Sequence, residues 1–144
     1  MNDLIAAARA AAAHAYAPYS RFAVGTALRL ADGAIITGAN FENASYGLSL
    51  CAETVALAAA NSAGQLRAVR EVAVIGGSIL ADGLGDAGIV TPCGRCRQIL
   101  NEAAQLSGRD LPIHCASVAG AVVTHPLSTL LPHAFGPGNL GVDA

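Results

Sequence analysis

The sequence predicts an α/β fold, a three-layer α/β/α sandwich around a mixed five-stranded sheet, and three observations lead there. Residues 22–30 alternate between two sets of side chains with the period of a strand. Residues 2–16 and 51–63 are dominated by alanine, the strongest helix former. The segments follow one another as αββαβαββα, an order that suggests helices laid over a sheet of both parallel and antiparallel strands.

Each element has its own local reason. Asn2 or Asp3 can cap a first helix that runs to about Tyr16, because Pro18 forbids easy continuation. In the strand at 22–30, Val24, Thr26, Leu28 and Leu30 alternate with Ala23, Gly25, Ala27 and Arg29. Asp32-Gly33 supplies a tight turn, and residues 34–40 return as the second strand of a hairpin. After a polar stretch at 43–49, the helix at 51–63 is closed by Gly64, a residue suited to the left-handed conformation at a helix end. Residues 72–75 read as a short buried strand and 76–90 as a glycine-rich loop. Thr91-Pro92 then precede a second central helix at 94–106. Residues 111–117 and 121–124 give two more strands, and 126–131 a short final helix. Neither a repeat nor a linker interrupts the chain, so residues 1–144 are expected to form one domain.

Composition narrows the function. Of the 144 residues, 53% are apolar, largely because of alanine, with three Phe, three Tyr and no Trp, so the core is built from small aliphatic side chains. Such a core tends to leave apolar faces for self-association to cover. The net charge is −2, and all eight basic residues are arginines scattered from Arg9 to Arg109. Without a basic stripe, a polynucleotide partner is disfavoured, and without lysine there is no Schiff-base chemistry. Residues 4–17 are apolar enough to raise a signal peptide, but Asp3, Arg9 and His14 interrupt the pattern and a basic n-region is missing. No run approaches the roughly 20 apolar residues of a membrane span. A cytoplasmic protein is expected, and there a close cysteine pair points to metal or redox work.

The cysteines carry the chemistry. Cys51 and Cys93 fall at the starts of two predicted helices, and Cys93 and Cys96 form a Cys-x-x-Cys pair. Three thiolates make three corners of a tetrahedron, and a catalytic zinc takes three protein ligands while leaving the fourth position to water. Helix N-termini carry partial positive charge, which favours thiolates there. Two other readings stay open. A structural zinc could be closed by Cys115, His114, His125 or His133, although His114 and Cys115 point to opposite faces of their strand. A redox use of Cys93 and Cys96 would leave Cys51 without a role. Glu53, two residues past Cys51, separates these readings. Alone it reads as a surface glutamate in a favourable first helical turn. Beside a zinc-bound water it would be a ready proton shuttle.

Cys-Ala-Glu at 51–53 and Pro-Cys-Gly-Arg-Cys-Arg-Gln at 92–98 resemble the zinc signature of the small homotetrameric cytidine deaminases. The resemblance extends to Pro-Tyr-Ser-Arg-Phe-Ala-Val-Gly at 18–25, Asn-Phe-Glu-Asn-Ala-Ser-Tyr-Gly at 40–47 and Leu-Leu-Pro-His-Ala-Phe-Gly at 130–136. It implies a zinc-dependent hydrolase acting on free cytidine and deoxycytidine, with Cys51, Cys93 and Cys96 as ligands and Glu53 moving protons. Polynucleotide and nucleotide deaminases usually begin the signature with histidine, so Cys51 implies a free nucleoside. The resemblance also implies substrate contacts from Phe22, Asn40, Glu42 and Ala52, and from Ala44, Tyr46 and Phe135 of neighbouring subunits. Independently, a spacing of two on a strand puts Asn40 and Glu42 on one face, where amide and carboxylate can pair with a diol. For Phe22, ordinary packing is the simpler reading. A deaminase of a modified cytosine nucleoside such as blasticidin S, and a zinc-stabilised binding module without turnover, are the alternatives. One departure stands out: many relatives carry arginine after the glutamate, where it hydrogen-bonds the thiolates, and this chain has Thr54. Arg95, Arg97 and the helix dipoles would then have to supply the compensating charge.

Overall fold

Strand alternation and small side chains decide how the layers of this molecule meet. The computed structural model describes residues 1–142. Its elements are α1 (Asn2–Ala12), β1 (Phe22–Leu30), β2 (Ile35–Ala39), α2 (Ala52–Ser62), β3 (Val69–Leu80), β4 (Gly83–Asp86), α3 (Gly94–Ser107), β5 (Pro112–Ser117), β6 (Val122–Pro126) and α4 (Leu127–Leu130).

The five expected strands lie in the order β2-β1-β3-β5-β6, and β4 pairs with β3. Among the described strands, β3 and β5 run parallel and the other pairs antiparallel, so the sheet is mixed as expected. Its strand count needs a correction from five to six. β3 spans Val69–Leu80 instead of the short 72–75 segment, and part of the predicted loop at 76–90 folds back as β4. β5 occupies one edge of β3 as far as Gly76, and β4 takes over that edge from Gly77. Gly76-Gly77 read as loop residues from sequence, yet a Cβ at Gly77 would collide with the Gly85 carbonyl, so here glycine permits the pairing.

Two helix details also differ from expectation. Met1 is the N-cap of α1, so neither Asn2 nor Asp3 caps it. Asp3 instead accepts hydrogen bonds from the Leu4 amide at 2.9 Å and Arg29 Nη2 at 2.7 Å. The helix stops at Ala12, short of Tyr16, because the Tyr16 backbone is taken by other partners. Its amide donates to the Asn40 carbonyl at 3.0 Å, and its carbonyl accepts from the Glu42 amide at 2.9 Å. A tertiary pairing overrides helix propensity there.

Successive strand residues divide between two helical layers. On one face, Ala27, Ala73, Ile75 and Ala116 pack with Leu4 and Ala8 of α1. On the other, Leu28, Leu30, Val72, Val74, Ile113 and Cys115 pack with Ala56, Leu57 and Ala60 of α2 and Leu100 and Ala103 of α3. Glycines set the approach on both sides: a Cβ at Gly25 would collide with the backbone of α1, and one at Gly38 with the backbone of α2.

A polar row crosses the α1 face. Arg29 Nε donates to Glu71 Oε1 at 2.7 Å, Glu71 Oε2 lies 2.7 Å from His114 Nε2, and His114 Nδ1 lies 2.8 Å from Thr124 Oγ1. With Arg29 also bound to Asp3, this row ties the start of α1 to the sheet.

Candidate metal centre and adjoining cleft

Two helix starts converge on one point. Cys51 is the N-cap of α2 and Cys93 the N-cap of α3, both with extended backbone. Their carbonyls accept from the Val55 amide at 3.1 Å and the Arg97 amide at 2.9 Å, which holds each residue against its first turn. Cys96 lies in the first turn of α3 and is wholly buried. Because α2 and α3 share one core, their thiols meet: Cys51 Sγ and Cys93 Sγ are 3.7 Å apart, and all three sulfurs lie within 4.8 Å of one another. Tetrahedral zinc with Zn–S bonds of ~2.3 Å places its sulfurs about 3.8 Å apart. The donor set and spacing therefore fit zinc.

The expected lowering of the thiols by helix N-termini holds at one position only. Burial pushes Cys51 up, and burial with the nearby Glu53 and Cys51 charges pushes Cys96 far up. At Cys93 burial also acts upward, but hydrogen bonding with Cys96 and Cys51 outweighs it and the thiol is lowered. Three thiolates packed beside a buried carboxyl need a cation among them.

The proposed fourth protein ligands lie elsewhere. Both ring nitrogens of His114 are engaged, by Glu71 and Thr124. Cys115 sits in the core with its Sγ 3.8 Å from the Ile113 carbonyl, its thiol pushed up to about 11 by burial. Among the described residues, the metal-binding cluster contains Cys51, Cys93 and Cys96, without His125 or His133. All four cysteines are free thiols. The arrangement matches a centre with one position left for solvent or substrate.

Glu53 is not the surface residue its sequence context suggests, since it is only 3% exposed. Burial raises its carboxyl above the ordinary range, partly opposed by hydrogen bonds from its backbone and Cys96. A carboxyl shifted in this direction both takes and gives a proton nearer neutral pH. Thr54 Oγ1 lies 3.8 Å from Cys96 Sγ. Arg95 donates to the Ser49 carbonyl, and Arg97 to the Pro92 and Leu130 carbonyls, so both guanidinium groups brace the surrounding loops.

A cleft of about 220 Å³ opens over the centre, lined by Cys51, Ala52, Glu53 and Cys93 together with Asn40 and Glu42. Val24, Ser49, Leu50, Val90 and Thr91 complete the wall and were not singled out from sequence. Of these, Val24 lies within the resembling stretch at 18–25 and Thr91 stands just before Pro92-Cys93, while Ser49, Leu50 and Val90 carried no such signal. The Asn40 amide is fixed from both ends: Oδ1 accepts from the Val24 amide at 2.9 Å, and Nδ2 donates to the Phe22 carbonyl at 2.8 Å. Glu42 Oε1 accepts from the Tyr19 and Ser20 amides at 3.0 and 3.1 Å. The Ser20 hydroxyl chiefly, with these amides, holds the Glu42 carboxyl below its ordinary value against the opposing effect of burial.

The other candidates lie outside the cleft wall. Phe22 lies close to Gly76, a glycine that the lining residue Val90 also approaches. Tyr46 is 74% exposed and lines an adjoining hollow with Tyr19, Ser20, Glu42 and Ser49. Ala44 is exposed, and Phe135 is 58% exposed while its carbonyl is held by Gln98 and Asn101. A larger hollow of about 420 Å³ at the other end of α3, lined by residues such as Gln105, Arg109 and Ser128, contains none of the metal-centre residues.

Comparison with known proteins agrees with this geometry. The family model for the cytidine and deoxycytidylate deaminase zinc-binding region matches residues 1–107. The chain is 43% identical over 148 residues to a cytidine deaminase of Mycobacterium tuberculosis, covering 96% of this chain and 92% of that one. It is 45% identical over 121 residues to a cytidine deaminase of Halalkalibacterium halodurans, covering 84% and 83%. The crystal structure of cytidine deaminase from Burkholderia pseudomallei superimposes with a TM-score of 0.81 at 41% identity, covering 93% of this chain and 98% of that one.

Proposed function

Since the chain belongs to the cytidine and deoxycytidylate deaminase family, we propose that it hydrolyses free cytidine and 2′-deoxycytidine to the uridine nucleosides and ammonia, with Cys51, Cys93 and Cys96 holding zinc and Glu53 moving the protons. The observation that carries this reading is the buried Glu53 carboxyl beside three convergent sulfurs, at the floor of a cleft that also presents Asn40 and Glu42.

The chain's residues divide the work as zinc deaminases do as a class. Cys51, Cys93 and Cys96 would hold zinc, which would supply Lewis acidity and lower the pKa of a water toward neutrality. Glu53 accepts a proton from the attacking water and delivers it to ring N3, which makes C4 electrophilic. After the water oxygen has bonded to C4, Glu53 takes the second proton from that oxygen and passes it to the exocyclic amine; the C4–N bond breaks, C4 keeps the oxygen as a carbonyl and ammonia leaves. Asn40 and Glu42, already oriented by β1 and the Tyr19-Ser20 backbone, hold the ribose hydroxyls. The ionised Glu42 disfavours a 5′-phosphate near the sugar. Val24, Leu50 and Val90 give the cleft an apolar wall against the base and restrict water.

The relatives support cytidine over a modified cytosine nucleoside, and the three-ligand centre beside a buried acid supports turnover over a passive zinc module. A role in pyrimidine salvage and a place in the cytoplasm belong to the same proposal; separately, no described helix is long and apolar enough to cross a membrane. Exposed Tyr46 and Phe135 suit a homotetramer in which neighbours complete each site.

The test combines zinc content with the ultraviolet absorbance change on adding cytidine. Glu53→Gln should keep zinc and fold while losing about 10²–10⁴-fold in rate. Zinc-loaded wild-type protein that leaves the cytidine spectrum unchanged would overturn the reading.

A further inference from the structure

We propose that Thr54 is a positioning residue of the metal centre, its hydroxyl donating a hydrogen bond to the Cys96 thiolate from outside the substrate cleft. The inference rests on the zinc reading above and concerns how the buried ligand is held.

Thr54 Oγ1 lies 3.8 Å from Cys96 Sγ, a separation within reach of a hydroxyl because sulfur is larger than oxygen. A hydroxyl facing a free thiol could donate or accept, but a thiolate bound to a cation has no proton and can only accept. Coordination therefore fixes the roles: Thr54 donates. The two residues before Thr54 line the cleft, whereas Thr54 itself, about 100° further round the helix, lines a separate groove with Leu57, Asn61 and Ile99. Its contact with the sulfur does not compete with substrate.

The cationic side chains nearby bond other groups: Arg95 the Ser49 carbonyl, and Arg97 the Pro92 and Leu130 carbonyls and the Thr91 hydroxyl. Apart from Glu53, which meets this sulfur from the cleft side, Thr54 is the side chain outside the cluster that reaches the wholly buried Cys96 among the described residues. A hydrogen bond there draws charge from the thiolate, keeps the metal electron-poor and fixes the orientation of Cys96. Partners of this kind commonly change metal affinity or activity by about 10- to 100-fold.

The test compares Thr54→Val, which keeps the shape and removes the hydroxyl, with Thr54→Ser, which keeps the hydroxyl. Thr54→Ala serves as a second hydroxyl-free variant should valine disturb folding. Zinc affinity is measured by competition with a chromophoric chelator, and thiolate-to-metal absorption is recorded on cobalt(II)-substituted protein. The expected result is a loss of about 10- to 100-fold in zinc affinity and a shifted absorption band in the Val and Ala variants, with both restored by Ser. Val and Ala variants that match wild type in affinity and spectrum overturn the inference while leaving the zinc reading intact. A Ser variant as impaired as Val also overturns it, by assigning the effect to packing. Wild-type protein unable to bind zinc overturns both.

Discussion

Gly38→Ala gives the sharpest test of how the sheet aims the metal centre. A Cβ at position 38 would lie 2.5 Å from the Ala52 carbonyl oxygen and 2.5 Å from the Ala56 amide nitrogen, and 3.0 Å from Ala56 Cα. Ordinary contact begins at 3.4 Å, so α2 must retreat by about 0.9 Å. The obstacle is helix backbone, which cannot swing aside as a side chain can. Because Cys51 caps this helix and Glu53 occupies its first turn, both move with it. Catalytic groups tolerate displacements of about 0.5 Å, and a misplacement of about 1 Å can lower the rate about 100-fold. Overpacking of this kind costs about 1–3 kcal/mol, offset in part by the lower entropy of the unfolded alanine chain, worth about 0.4–1 kcal/mol. With about 2.1 cal/mol/K per residue over 144 residues, each kcal/mol moves Tm by about 3 °C. The variant should therefore show a Tm lower by up to about 8 °C and a kcat for cytidine reduced about 100-fold, with loss of zinc affinity. Wild-type kcat and zinc affinity in Gly38→Ala would refute the argument that this glycine seats the catalytic helix.

Two further outcomes follow from groups outside the metal centre. Burial pushes the Glu71 carboxyl up, but hydrogen bonds from His114 and Arg29 outweigh it and leave the carboxyl below its ordinary 4.5. Its contribution to stability is complete above pH 4.5 and is lost as the pH falls through the lowered folded value, so Glu71→Gln should flatten the fall of Tm below pH 4.5. Superimposable acid limbs for wild type and variant would count against that row of charges as an anchor for α1. Tyr46→Ala and Phe135→Ala remove side chains that are 74% and 58% exposed in the single chain, so within one chain each should alter stability by less than about 0.5 kcal/mol. In sedimentation measurements both should weaken self-association and raise KM together, and unchanged assembly would argue against shared sites.

The sequence alone determined what depends on neighbours along the chain. Alternation marked β1 at the same bounds the structure shows, Phe22–Leu30, and alanine content with Gly64 marked α2 to within a residue or two. The Cys51, Cys93 and Cys96 spacing was legible for the same reason, since helix starts and a Cys-x-x-Cys turn are local geometry. The extension of β3 and the return of β4 were not legible, because Gly76-Gly77 carry a loop signal and become strand only when β1 pairs on one side and β5 and then β4 on the other. The end of α1 depended on a hydrogen bond from Tyr16 to a residue 24 positions later.

Tertiary structure alone decided the character of the site. Glu53 looks like any glutamate in a first helical turn until the sheet, α3 and the cleft wall enclose it and raise its carboxyl. Gly38 is one small residue in a hairpin until α2 lies across it, and Thr54 is a neutral substitution until Cys96 arrives from a helix 42 residues away. Periodicity and spacing are written in covalent neighbours, whereas burial, close approach and the partner of a hydroxyl are set by whichever distant element fills the remaining space.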